Sequence, residues 1–147
     1  MAKIHSYLNF NGNCEEAFNF YKNVFKTEIG WIGRFGDIPE DPNVTIADAD
    51  KNKIMHISIN INKDQMLMGS DCLESFGQKA VFGTSNYIML DVDNADEAQE
   101  LFAALTVNAQ NLEMALADTF FAELFSSFTD QFGIAWMIHF EGNRKFQ

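Results

Sequence analysis

The chain has 147 residues, a size that fits one domain or two small halves that share a core. Its formal charge is −11 and it contains no basic run, which excludes nucleic acid as a partner because phosphate backbones repel such a surface. No apolar run approaches the roughly 20 residues that span a bilayer, and no signal-peptide core is present. We therefore expect a cytoplasmic protein with no membrane partner. Cys14 and Cys72 match neither a metal motif nor a disulfide framework.

The first half predicts a strand, a helix and then three strands. Residues 4–10 alternate, with His5 and Tyr7 on one face and the apolar residues on the other. Asn13 is expected to cap a helix, with Glu16 completing a capping box. A strand at 28–35 is followed by a polar loop at 36–52 and a hairpin at 53–69. Residues 70–85 are expected to link the two halves.

The second half repeats this order. A strand is predicted at 87–92, and Asn94 caps a helix, with Glu97 at the capping-box position. Three strands are expected at 112–118, 123–130 and 134–140, and the turn at 130–133 precedes the last of them.

The two strand–helix units match each other in sequence. An offset of 81 residues relates Asn13 to Asn94 and Glu16 to Glu97, while an offset of 80 relates Tyr7 to Tyr87. This match indicates an internal duplication. The alternative is coincidence, because a capped amphipathic helix is a common object.

Four stretches resemble the PhnB-like branch of the vicinal oxygen chelate superfamily, which includes glyoxalases, bleomycin-resistance proteins and dioxygenases. They are YLNFNGNCEEAFNFYKNVF, RFGDIP, HISINI with QMLMGSD, and TDQFGIAWMI. The resemblance covers essentially the whole chain. It implies an α+β fold: a single domain of two βαβββ modules, at about 1–75 and 80–147, that form a cupped eight-stranded mixed sheet. It also implies a ligand cavity on the sheet face away from the helices, and a homodimer.

The resemblance also implies where metal-dependent members hold their ion, through His, Glu or Gln. Those positions fall near His5, on Tyr87 or Asn86, on Leu67 or Met68, and on Met137. One candidate in four is too few, since a divalent ion usually needs at least three nitrogen or oxygen ligands. We therefore predict no metal and no cofactor. The chain has no GxGxxG loop and hence no dinucleotide site. Members of the branch have been labelled demethylubiquinone methyltransferases, but nothing in the sequence supplies a site for S-adenosylmethionine.

Two residues are candidates for a catalytic base. His5 faces the predicted cavity and can move a proton at neutral pH, although a His on a strand face is more often a hydrogen-bonded wall residue than a base. Glu113 lies in an otherwise apolar strand, where an inward carboxylate would be a general base and an outward one merely solvated. His56 either lines the cavity or meets solvent, and His139 is interpreted as structural.

The remaining candidates suggest a partly apolar ligand. Met68, Met89 and Met137 fit an adaptable apolar wall, although ordinary core positions are the alternative for each. The predicted small-molecule-binding set is His5, Tyr7, His56, Met68, Tyr87, Met89 and Met137.

Three functions remain open at this stage. The first is a metal-independent small-molecule-binding protein. The second is an enzyme of the glyoxalase, lyase or isomerase type, either with His5 or Glu113 as its base or with metal ligands elsewhere in the chain. The third is a non-catalytic dimer whose cavity is filled by its own side chains.

Overall fold

A computed structural model describes residues 1–144, which divide into two compact units, one of Met1–Val81 and one that begins at Phe82. Each unit contains one helix and one four-stranded mixed sheet. The prediction of two βαβββ modules is therefore confirmed. Each helix follows the first strand of its unit, as the sequence pattern indicated.

The first unit runs β1 (Ser6–Phe10), α1 (Cys14–Val24), β2 (Ile29–Arg34), β3 (Ile54–Asn60) and β4 (Met66–Asp71). The sheet order is β1-β4-β3-β2. Strands β1 and β4 are parallel, and the other neighbours are antiparallel. The predicted link at 70–85 begins too early, because Ser70 and Asp71 still pair with β1.

The second unit runs β5 (Ile88–Asp91), α2 (Ala95–Leu105), β6 (Asn111–Ala117), β7 (Leu124–Thr129) and β8 (Ala135–Phe140). Its order, β5-β8-β7-β6, repeats that of the first unit, and β5 and β8 are again parallel. Among residues 1–144, no helix has both the length and the apolar character needed to cross a bilayer.

Each helix covers one face of its own sheet. The side chains that α1 and α2 bury are Cys14, Ala17, Phe18 and Tyr21 in the first unit, and Ala98, Leu101 and Leu105 in the second. Alternate residues of the central strands are buried with them, for example Leu67 and Trp136, which are 2% and 1% exposed. The other sheet face carries no helix of its own unit, so its larger side chains remain partly exposed.

The two helices start differently, which corrects one prediction. The Asn94 side chain accepts a hydrogen bond from the Glu97 amide at 2.8 Å, as predicted. The Asn13 side chain makes no such bond. Instead, one carboxylate oxygen of Asp71 accepts the amides of Gly12 and Cys14, at 2.9 and 3.0 Å. A residue at the end of β4 thus replaces the predicted local cap.

Both units contain a β-bulge at the same place, which supports the internal duplication. In β2 the extra residue is Gly30, between pairs Ile29↔Ile59 and Trp31↔Ser58. In β6 it is Glu113, between pairs Leu112↔Phe128 and Met114↔Ser127. A bulge turns the local strand and re-aims its side chains. Trp31 and Met114 therefore occupy corresponding positions in the two units.

Strand pairing also corrects the alignment of the first strands. Tyr7 pairs with Met68, which lies opposite Ser58, and Met89 pairs with Met137, which lies opposite Ser127. Met89, rather than Tyr87, therefore corresponds to Tyr7. The offset between the strands is 82 residues and not 80.

Candidate functional site

The open face of the first sheet carries a row of large side chains, called here the Tyr7 face. It consists of Tyr7, Trp31, His56, Ser58 and Met68, which come from all four strands. Tyr7 is 46% exposed and Trp31 51%. Exposed aromatic side chains in such a cluster are typical of binding surfaces, because a ligand that covers them removes apolar surface from water, which is favourable.

His56 lies between two aromatic rings on the Tyr7 face. Its ring centroid is 5.6 Å from that of Tyr7 and 5.4 Å from that of Trp31. The Tyr7 hydroxyl and His56 Nδ1 are 3.2 Å apart, within hydrogen-bonding distance. His56 therefore contacts two other residues of the open face.

Gly33 explains why Trp31 lies flat on the sheet. Gly33 pairs with His56, and a Cβ at this position would come within 2.4 Å of the Trp31 ring. Any side chain other than glycine would therefore displace the indole. The sequence WIGR contained this signal, a tryptophan followed two residues later by glycine on the same face, but Trp31 was missing from the predicted binding set.

His5 sits at the edge of this sheet rather than in the row. Its Nδ1 accepts a hydrogen bond from the Met66 amide at 3.1 Å, where β4 begins. A neutral imidazole in this state carries its proton on Nε2. The geometry fits the alternative of a hydrogen-bonded wall residue, because one of the two ring nitrogens accepts the backbone amide of Met66.

The open face of the second sheet carries an equivalent row, called here the Met89 face. It consists of Met89, Met114, Ser127 and Met137, with Tyr87 and Glu113 at its two edges. Met89 is 53% exposed and Met114 45%. Met114, like Trp31, is a site residue that the sequence interpretation missed, because the bulge at Glu113 decides which way it points.

A hydrogen bond between Tyr87 and Glu113 links opposite edges of the second sheet. Tyr87 precedes β5 and Glu113 lies in β6, and two strands separate them. The Tyr87 hydroxyl nevertheless donates to both Glu113 carboxylate oxygens, at 2.7 and 2.9 Å. The hydrogen bond to Glu113, followed by desolvation and the charge of Glu113, raises the pKa of Tyr87 above its usual value, because each disfavours the ionised phenolate.

One further polar pair occurs at matching positions on the two faces. Asn9 and Ser70 are paired in the first sheet, and their side chains form a 3.2 Å hydrogen bond. In the second sheet the corresponding pair is Asp91 and His139, with 2.8 Å between Oδ1 and Nδ1. His139 was interpreted as structural. It lies on the same side of β8 as Met137, next to the Met89 face.

The residues at the superfamily's metal positions do not fit a divalent ion. They offer the His5 imidazole, whose Nδ1 is occupied, the Tyr87 hydroxyl, and the thioethers of Met68 and Met137. Within the described residues, no three His, Cys, Asp or Glu side chains are grouped so that they could hold an ion. Thioethers suit soft ions and not the hard ions that polarise oxygen.

A separate cavity of about 560 Å³ lies in the loop that follows β2. Its lining includes Phe35, Pro39, Asp41, Ile46 and Lys51, none of which belongs to the Tyr7 face. None of the predicted site residues reaches it. The candidate site therefore remains the open sheet faces and not this loop.

Comparison with known proteins identifies close relatives. The sequence profile of a family described as 3-demethylubiquinone-9 3-methyltransferase matches residues 2–139. The protein YjdN of Escherichia coli is 30% identical over 142 residues, which cover 92% of this chain and 93% of that protein. Protein PA1353 of Pseudomonas aeruginosa is 38% identical, and its crystal structure superposes with a TM-score of 0.83 over 96% of this chain and 98% of that one.

More distant structures share the fold alone. A PhnB protein from Bacillus cereus, described by the same methyltransferase name, is 24% identical with a TM-score of 0.72, over 95% of this chain and 99% of that one. The fosfomycin resistance protein FosX of Listeria monocytogenes is 11% identical with a TM-score of 0.64, over 96% and 94% of the two chains. The architecture of two βαβββ units is therefore common to proteins that are described by different activities.

Proposed function

Because the chain belongs to the 3-demethylubiquinone-9 3-methyltransferase-like, or PhnB-like, family of the vicinal oxygen chelate superfamily, we propose that it binds a small molecule on the Tyr7 face without a metal ion. The observation that carries this proposal is the arrangement of Tyr7, His56 and Trp31. These rings are packed against one another, yet Tyr7 and Trp31 remain about half exposed.

The chemistry of the Tyr7 face favours a planar, partly apolar ligand. Aromatic rings stack on aromatic side chains, and the Met68 thioether adapts to different shapes. The Tyr7 hydroxyl and His56 give one end of the ligand a hydrogen-bonding partner. Small-molecule sites commonly combine apolar walls with a few polar groups in this way.

Trp31 provides a direct test of this proposal. The chain has two tryptophans, and Trp136 is 1% exposed with its indole N–H bonded to Asp130 at 2.8 Å. Small aromatic ligands that raise the thermal unfolding temperature should also quench or shift the Trp31 fluorescence, since a ligand bound to the folded state stabilises it. Trp31→Phe should remove the fluorescence response while thermal stabilisation by the ligand persists.

Tyr7→Ala serves as the binding variant in the same titration. We expect affinity to fall roughly tenfold, because one stacking partner and its hydrogen bond are lost. Val107→Ala, at an exposed site after α2, is the control and should leave binding unchanged. Ligands that bind Tyr7→Ala as tightly as the unaltered protein would place the site elsewhere.

The second candidate function is proton transfer, as in lyases and isomerases, with Glu113 as the base. The observation that favours Glu113 over His5 is that its carboxylate is exposed and positioned by Tyr87, whereas His5 Nδ1 holds the Met66 amide. An exchange assay with carbon acids distinguishes Glu113 from His5 as the base. Glu113→Gln should abolish proton transfer, and His5→Ala should not.

We also propose that the protein is a homodimer, as the superfamily resemblance implies. Sedimentation equilibrium across a range of concentrations measures this directly. A mass of 16.7 kDa at every concentration would exclude the dimer.

A further inference from the structure

The Met89 face combines a carboxylate, a hydroxyl and a row of thioethers that the proposed binding to the Tyr7 face does not use. Glu113 is the bulged residue of β6, so its side chain leaves the regular alternation of that strand. It reaches Tyr87 at the far edge of the sheet. The result is one negative charge next to Met114 in β6, hydrogen-bonded to the tyrosine two residues before Met89.

The polar groups of this pair are all available as acceptors. The Tyr87 hydroxyl uses its proton on Glu113, so its oxygen keeps lone pairs for another donor. The ionised carboxylate is an acceptor only, with lone pairs beyond those that Tyr87 occupies. A ligand group that fits both must therefore supply N–H or O–H donors and need no donor in return. An ammonium group has this property, while a phosphate or carboxylate does not.

The negative charge of the second unit also favours a cationic ligand. Residues 82–147 contain ten acidic residues and two basic ones, Arg144 and Lys145, for a formal charge of −8 out of −11 for the whole chain. Arg144 is the only Lys or Arg at positions 82–144, and its guanidinium is bound to the Asp118 carboxylate. Asp91, which is 68% exposed, adds a carboxylate beside the row, and His139 pairs with it. A field of this sign attracts cations.

The methionine side chains of the Met89 face suit an apolar ligand group next to the charge of Glu113. Thioethers are polarisable and flexible, so a methionine row accommodates ligands of different shapes. Ser127 lies between Met137 and Met114 in the row and is itself buried, so the exposed apolar surface of the row is that of Met89 and Met114. A protonated amine attached to an aromatic or aliphatic group would place its charge at Glu113 and its apolar part on the methionines.

We propose that the Met89 face is a second binding site, selective for organic ammonium ions that carry N–H donors and an apolar substituent. The proposal rests on residues of the second unit alone, so it can fail while the proposal for the Tyr7 face stands, and the reverse. It also differs from that site in the charge of the preferred ligand.

The methionine methyl groups allow a test that locates binding. Protein labelled with ¹³C at its seven methionine methyl groups is titrated with benzylamine, which is protonated at neutral pH, and with benzyl alcohol, which is not. We expect benzylamine to shift the signals of Met89, Met114 and Met137, and to bind more tightly than benzyl alcohol. Met68 reports on the Tyr7 face in the same spectra, so the two proposals give separate signals.

Two variants isolate the contribution of the carboxylate. Glu113→Gln keeps an acceptor for Tyr87 and should weaken benzylamine binding roughly three- to fivefold, the range for one solvent-exposed charge. Glu97→Gln removes the same charge from the first turn of α2 and should leave affinity unchanged. Equal binding of the two ligands, equal losses in the two variants, the absence of methyl shifts at Met89, Met114 and Met137, or shifts confined to Met68 would each overturn the proposal.

Discussion

Asp71 bonds to three backbone amides that come from separate parts of the first unit. One carboxylate oxygen accepts Gly12 and Cys14, and the other accepts Ile54 at 2.8 Å. The side chain is 3% exposed, so these bonds replace water almost completely. A buried carboxylate is tolerated only when its lone pairs are satisfied in this way. Asp71 thus fixes the start of α1, the start of β3 and the end of β4 together.

We predict that Asp71→Asn destabilises the protein by about 2–3 kcal/mol. The amide that replaces one oxygen is a donor, so it faces either Ile54 or the pair of helix amides without an acceptor. Urea unfolding followed by circular dichroism measures the loss. Asp93→Asn, an exposed acidic residue ahead of α2, is the control and should change stability by less than about 0.5 kcal/mol. A stable Asp71→Asn protein would show that the three amides find other partners.

Asp130 has a comparable role in the second unit. It is buried and accepts the amides of Phe132 and Ile134, at 2.8 and 3.0 Å, together with the indole N–H of Trp136. The sequence predicted the turn at 130–133 from its composition. It did not predict that the aspartate also orients the largest buried side chain of β8.

At the scale of elements, close contact between α1 and β4 depends on Gly69. A Cβ at this position would lie 2.6 Å from the Phe18 ring and 2.8 Å from the Leu8 carbonyl oxygen. Phe18 belongs to the buried side of α1, and Leu8 to the neighbouring strand β1. Glycine therefore allows the helix to pack directly on the parallel pair of strands.

Gly69→Ala is expected to cost about 1–3 kcal/mol, because the backbone oxygen of Leu8 cannot move aside as a flexible side chain can. Thermal unfolding is the measurement. Gly83→Ala is the matched control, since a Cβ there has nothing within 4 Å. Equal stability of the two variants would mean that α1 shifts freely on its sheet.

The sequence predicted these elements well where their signals were local. Asn94 and its partner Glu97 lie three residues apart, and the predicted cap is present. Asn13 carries the same local signal, but its backbone dihedrals (φ −112°, ψ 23°) and the arrival of Asp71 from 57 residues away give a different cap. A contact made across the fold leaves no periodic pattern in the chain, so sequence reasoning could not find it.

The candidate site shows the same limit. Tyr7, Met89 and Met137 were named from strand alternation, and the structure places them on open sheet faces. Trp31 and Met114 were missed because each follows a bulge, where alternation changes phase. A bulge depends on pairing with the neighbouring strand, which a single strand's sequence does not specify.

At the scale of the whole molecule, the two halves have diverged in surface chemistry while keeping one topology. Both retain the strand order, the bulge and the serine at the centre of the row. The first row is aromatic and the second is built of methionines. Most of the net negative charge belongs to the second half. The two halves thus share one framework and differ in the chemistry of their open faces.

The bonds of Asp71 have a consequence for local motion. The amides of Gly12, Cys14 and Ile54 are attached to one side chain, so fraying of the first turn of α1 should also release the start of β3. Native-state hydrogen exchange would then give these three amides one common opening free energy. The Glu97 amide, held by Asn94 next to it in the chain, should open independently and with less protection.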